Sequence, residues 1–167
     1  MATYKVKSAD TTEFTLLQNE QYIGRLKYKN WFSFKAEITI ENDIILQVEP
    51  VGFEDTVIEI RDRDQVLLDF KMNWKGRILI HSKLGDTAQY YTLKQKGFFR
   101  SAFVLTDSDG LELLILEPDF KWNHLNYDYD INSSDVFEEN ENKNILILTA
   151  IHCSNYFITT MTTAGDA

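Results

Sequence analysis

Three groups of side chains in this chain have the types and spacings to do chemistry. Arg25, Lys27, Lys29 and Lys35 form a basic group, and Lys94, Lys96 and Arg100 repeat it further along. Residues two apart on an extended segment project to one side, so Lys27 and Lys29 would share a face. Such a group could hold an anionic headgroup through charge-assisted hydrogen bonds. The competing reading is a solvated outer strand face that keeps sheet edges soluble. The second group is acidic. Asp128, Asp130 and Asn132 stand at positions one, three and five of a twelve-residue segment that ends in Glu139. Ca2+ takes six to eight oxygen ligands, and a loop with this spacing can wrap them round one ion. Ca2+ is accordingly the one candidate cofactor. Ser133 stands where such a loop needs glycine, and no helix precedes it, so a plain acidic linker competes with the metal reading. The third group is His81, His124, His152 and the single Cys153. None has zinc-ligand spacing. On a helix His152 and Cys153 would diverge by about 100°, a poor nucleophile–base pair. Core packing accounts for them better. No phosphate-binding loop, dinucleotide fingerprint or nucleophile elbow is present. The expectation is a non-enzymatic protein with no catalytic residue assigned, although a triad is made by geometry rather than by sequence order. Trp31, Trp74 and Trp122, with 8 Tyr and 11 Phe, could line a cavity but more ordinarily fill a core.

The charge balance restricts the partners. The chain has 167 residues, with 17 Lys and Arg against 26 Asp and Glu, a net of −9. Residues 1–100 carry a net of +1 and residues 101–167 a net of −10. Phosphate contacts need Lys and Arg, so nucleic acid is not an expected partner. A local basic patch can still act within a Debye length. One cysteine and no apolar stretch of signal length near the start favour a reducing, cytoplasmic setting, which is compatible with attachment to a membrane surface.

The elements that would position these groups are mostly strands. The clearest is 31–40, where Phe32, Phe34, Ala36, Ile38 and Ile40 fall on one face and polar residues largely on the other. Eleven further short segments between Tyr4 and Ile131 read the same way. Connectors such as Asn19-Glu20, Asn42-Asp43, Asp62-Arg63-Asp64, Lys75-Gly76 and 107–110 suit hairpin turns. About a dozen short strands imply a mainly β domain, a barrel or a sandwich. Leu26-Lys27-Tyr28-Lys29-Asn30-Trp31-Phe32 matches Leu93-Lys94-Gln95-Lys96-Gly97-Phe98-Phe99 at an offset of 67, and Val48-Glu49-Pro50 matches Leu116-Glu117-Pro118, and Gln21-Tyr22 matches Gln89-Tyr90, at 68. Two related barrel halves would explain the matches, as would chance likeness between amphipathic strands.

Asn144 to Met161 differs from the rest. Its apolar residues cover nearly every helical angle, and a helix apolar all round must be buried. Its Ile and Thr content keeps a strand alternative open. Its polar breaks and length argue against a transmembrane span. The expected organisation is one domain over 1–167, with strands to 131, an acidic loop over 132–143 and a buried helix over 144–161.

Many strands followed by one hydrophobic helix resembles the tubby C-terminal-like superfamily, which includes the LURP-one-related proteins and the phospholipid scramblases. The segments Gln65-Val66-Leu67-Leu68-Asp69-Phe70-Lys71 and Trp74-Lys75-Gly76 also look like that family's strand pattern. The resemblance implies a single antiparallel barrel of about twelve strands enclosing the helix. It also implies a non-enzymatic role in binding a phosphoinositide or other anionic headgroup, a membrane surface or a protein. Scramblase-like members carry an acidic Ca2+-associated segment before the helix. The rival expectation is a small-molecule carrier of lipocalin type, with an open barrel and the helix packed outside.

Overall fold

Alternation of apolar and polar residues lets each strand bury one face and expose the other. In the computed structural model, which describes residues 1–10, 12–30, 33–41, 43–97, 102–120 and 127–165, twelve such strands form. They are β1 (Ala2–Ser8), β2 (Glu13–Gln18), β3 (Gln21–Asn30), β4 (Lys35–Ile40), β5 (Ile44–Val51), β6 (Val57–Asp62), β7 (Gln65–Met72), β8 (Ile78–Ser82), β9 (Gln89–Lys96), β10 (Ala102–Thr106), β11 (Glu112–Phe120) and β12 (Tyr127–Ser133). Each pairs antiparallel with the next, and β1 pairs with β12 to close a barrel. Closure leaves no sheet edge exposed. A short helix α1 (Asp135–Glu138) and a long helix α2 (Lys143–Gly165) follow.

Helix α2 occupies the lumen. Leu146 to Asn155 are ten consecutive residues, none more than 2% exposed, so every side of the helix is covered. Its side chains meet strands from around the ring: His152 lies on Tyr28 of β3 and Phe70 of β7, Phe157 on Phe103 of β10, and Asn155 bonds Tyr129 of β12. Each buried Leu or Ile contributes about 1.5–3 kcal/mol by leaving water. Polar residues survive in the lumen because they are bonded: Thr149 Oγ1 donates to the Ile145 carbonyl (2.8 Å) and Ser154 Oγ to that of Ala150 (2.9 Å). Gly24 on β3 allows close approach; a Cβ there would sit 2.6 Å from the Thr39 carbonyl oxygen and 3.0 Å from Leu148 Cδ1. The space a lumenal ligand would need in the carrier reading is taken by the chain's own helix.

The barrel has two rims. The proximal rim, where α2 begins, holds the connectors β2–β3, β4–β5, β6–β7, β8–β9, β10–β11 and β12–α2. The distal rim, where α2 emerges, holds the others. At the proximal rim Asn19 and Glu20 both take positive φ (50° and 65°), the conformation a two-residue hairpin needs.

Three expectations need correction. The strand expected over 31–40 begins only at Lys35. Phe34 adopts a left-handed backbone (φ 57°) and turns its ring onto Tyr156 (4.7 Å between centroids) and His152 (6.3 Å), so its alternation with Ala36 reflects contact with the helix and not strand pairing. Trp31 and Phe32 lie outside the described residues. The acidic loop over 132–143 is largely ordered structure. β12 runs on to Ser133, and Ser134 caps α1 by accepting from the Phe137 N–H (3.2 Å), which drives Phe137 into the core. Helix α2 also extends beyond 144–161 at both ends. The repeat has a geometric counterpart. Among the described residues its matched segments run along β3 and β9 and along β5 and β11, each pair six places apart in a ring of twelve and running the same way. The matched segments therefore sit half a turn apart about the barrel axis.

Candidate functional site

The ring order decides what the basic residues can do together. Arg25, Lys27 and Lys29 lie on β3 and Lys35 starts β4, whereas Lys94 and Lys96 lie on β9, on the opposite wall. Arg100 lies outside the described residues. The two groups cannot close on one headgroup. Pairing also reduces their charge: Arg25 meets Glu13 (3.4 Å), Lys96 meets Glu112 (2.7 Å), and Lys29 bonds Gln47 (2.6 Å) with Glu37 at 3.6 Å. Lys27 stands in register between Glu13 and Glu37 on the neighbouring strands.

The acidic residues do not wrap an ion. Asp128, Asp130 and Asn132 lie along the outer face of β12, where alternate residues stand about 6.6 Å apart. Ca2+ ligands must converge at about 2.3–2.6 Å, which an extended strand prevents. Asp128 accepts from the Ser8 N–H (2.9 Å) and hydroxyl, and Asn132 from Thr3 (3.2 Å). Glu139 ends α1. Among the described residues no group of three or more His, Cys, Asp or Glu could hold a metal. The carboxylate that organises this region is Glu138, which accepts from Tyr4 (2.8 Å), Ser133 (2.5 Å) and Lys143 (2.6 Å). Burial pushes its carboxyl up, but bonds from Lys143, Ser133 and Tyr4 outweigh that and hold it below the usual range.

The interior polar groups make a structural chain. The Tyr28 hydroxyl shares a hydrogen bond with His152 Nδ1 (2.6 Å) and accepts from Asn155 Nδ2 (3.1 Å); the Tyr129 hydroxyl donates to Asn155 Oδ1 (2.7 Å). Nε2 of His152 is buried with no hydrogen-bond partner among the described residues. Desolvation lowers His152 to about 3 and pushes the Cys153 thiol well up, so the ring is neutral and the thiol unreactive at neutral pH. His81 lies on the outer wall, stacked on Tyr90 (4.8 Å, 7°) and 3.4 Å from Asp69. His124 lies outside the described residues.

The rims carry surface features that sequence reading overlooked. At the distal rim Trp74 and Phe53 are 89% and 87% exposed, on neighbouring connectors. Lys75 Nζ lies 5.1 Å from the Trp74 ring, and Arg77 follows. Among the described residues the distal connectors carry Phe34, turned onto the helix, and the exposed Phe53 and Trp74; the proximal connectors carry one aromatic, the buried Phe137. Trp31, Phe32, Phe98, Phe99 and Trp122 lie outside the described residues. The proximal connectors instead hold eleven acidic residues against Arg63 and Lys83. The signal was present as aromatics in turns, where a buried core does not need them.

Fold and surface together define a closed antiparallel β-barrel filled by its own C-terminal helix, with an acidic rim at one end and the exposed Phe53 and Trp74 at the other. No protein-family model, no curated protein and no solved structure matches the chain. No helix among the described residues is long and apolar enough to cross a membrane.

Proposed function

We propose that this protein is a non-enzymatic binding module that seats its distal rim on an anionic membrane surface. The observation that carries this reading is the pair Trp74 and Phe53, almost fully exposed beside Lys75 and Arg77. Large exposed apolar side chains on a soluble surface mark interaction sites. Trp suits the headgroup level, where one part of its ring is dry and another wet, and each nearby Lys or Arg adds about 1 kcal/mol at an anionic surface. The acidic proximal rim would then face away from the membrane, so a net charge of −9 does not oppose contact. The reading is of the kind that the resemblance to the tubby C-terminal-like superfamily implies, whose members bind headgroups or act at membranes. The pairing of Lys29 and Lys96 with carboxylates and amides favours a broad rim contact over a pocket for one headgroup.

The test is co-sedimentation with phosphatidylcholine vesicles, with and without phosphatidylserine, at low and high salt. Binding is expected only with phosphatidylserine and should weaken with salt. Trp74→Ala with Phe53→Ala should reduce it at least tenfold, because about 100 Å² of insertable apolar surface is worth about 2.5 kcal/mol. Equal binding by the variant and the native chain would refute the reading.

A further inference from the structure

The proximal rim contains a groove of about 550 Å³ between the β8–β9 connector, the β10–β11 turn and the α1–α2 segment. It sits over the start of α2, with Leu146 and Phe137 at its floor and Leu84, Val136 and Tyr90 at its walls. Val136 is 57% exposed and Tyr90 60%, so apolar surface stands open within a concave site. Tyr90 also lines a second, smaller groove on the outer face of β7–β9, which holds Asp69 and Lys71 and is separate from the first. The charge at its lip is of one sign. Asp107, Glu139 and Glu141 line it and no Lys or Arg does. Among the described residues the Glu139 and Glu141 carboxylates have no ion-pair or hydrogen-bond partner, and both side chains are exposed. Asp107 accepts the N–H groups of Asp109 and Leu111 (both 2.9 Å), which fixes the β10–β11 turn and leaves a rigid carboxylate at the lip.

From this groove we infer that the proximal rim docks an extended segment of another protein bearing Lys or Arg. Apolar stems of those side chains match Val136 and Tyr90, and their charged ends match the lip. A groove of this size takes a few residues of such a segment. A bare metal ion is not the occupant, because no three ligand groups converge there. The lipid surface proposed for the distal rim is not the occupant either, because eleven proximal carboxylates repel an anionic membrane. The protein would thus join a basic partner to a membrane at opposite ends of one barrel. The docking inference does not depend on the membrane reading.

The experiment is fluorescence anisotropy of a fluorescein-labelled peptide of alternating Lys and Leu against the full chain, with spermine as an unlabelled small-polycation competitor. The peptide should bind, and raised salt should weaken it. The triple variant Asp107→Asn, Glu139→Gln, Glu141→Gln should lose at least tenfold in affinity. A second triple variant, Glu20→Gln, Glu41→Gln, Asp43→Asn, removes the same charge from the same rim outside the groove and should bind within twofold of the native chain. Val136→Asp should weaken the Lys–Leu peptide through loss of apolar contact while leaving spermine competition unweakened. Equal losses in the two triple variants would overturn the inference in favour of diffuse charge attraction. Spermine matching the peptide in affinity would overturn it in favour of a small-polyamine site, and no peptide binding at low salt would overturn it outright. Thermal melts of each variant identify any that fails to fold, in which case the Val136→Asp comparison decides.

Discussion

Neutral His152 at the centre of the barrel makes stability depend on pH in a way that can be worked from its surroundings. Desolvation lowers it to about 3 in the folded protein, against about 6.5 in the unfolded chain. The unfolded chain therefore takes up a proton near pH 6.5 that the folded protein refuses. Stability is fully present above 6.5 and falls progressively as pH drops towards 3. Each pH unit in that window removes about 1.4 kcal/mol, so about 2 kcal/mol is gone at pH 5. For a chain of this length that lowers Tm by about 4–8 °C. His152→Gln keeps a hydrogen-bonding partner for the Tyr28 hydroxyl and cannot gain a charge, so it should lack this component. The assay is urea unfolding at several pH values between 7.5 and 5, roughly the window where this group dominates, followed by circular dichroism. The quantity read is the stability difference between the native chain and the variant, which cancels His81, His124 and the carboxylates. If that difference stays constant across the range, or if His152 titrates near its ordinary value in the folded protein, the reasoning fails.

Two further outcomes follow from the same interior. Burial, with neighbouring phenols adding to it, raises Tyr129 well above its ordinary value, and burial does the same to Tyr28, so both keep their protons in the folded protein above pH 10, where the unfolded chain loses them. Stability present below pH 10 should fall as pH rises further, and Tyr129→Phe should reduce the slope by about 1.4 kcal/mol per pH unit, read from thermal melts. Gly24→Ala should cost about 1–3 kcal/mol in chemical denaturation, and adding Leu148→Ala should not restore it, because the nearer clash is with the Thr39 backbone; a neutral Gly24→Ala would contradict the close approach of β3 to its neighbour.

Much of the fold was readable because its signals are local. Alternation along Ala36–Ile40 and Tyr4–Val6 gives strands, paired polar residues such as Asn19-Glu20 give turns, and the apolar coverage of Ile145–Ile151 gives a helix that only a lumen can bury. Phe34 misled because an inward apolar residue looks the same whether it points from a strand or from a left-handed turn. The acidic segment misled because its carboxylates read as repelling loop residues, while Asp128 and Glu138 are bonded to partners more than a hundred residues away on β1. The basic residues misled for a topological reason. Sequence similarity joins β3 to β9, and the barrel sets those strands on opposite walls. The exposed pair Phe53 and Trp74 was missed because the two residues stand on separate connectors that no single window contains.

The order of the chain against the order of the core has a consequence for how this protein is made. Every strand precedes the helix that fills them, and the ring closes between β1 and β12, so the first and last strands, more than a hundred residues apart, must meet. On the ribosome, at about 5–20 residues per second, the strands wait several seconds or more with an apolar inner face and nothing to cover it. Contacts so distant in sequence also form slowly. During that interval the barrel wall is a nascent surface open to self-association, and release of α2 is the event that ends the exposure. Synthesis of this fold is thus a race between aggregation and the arrival of α2.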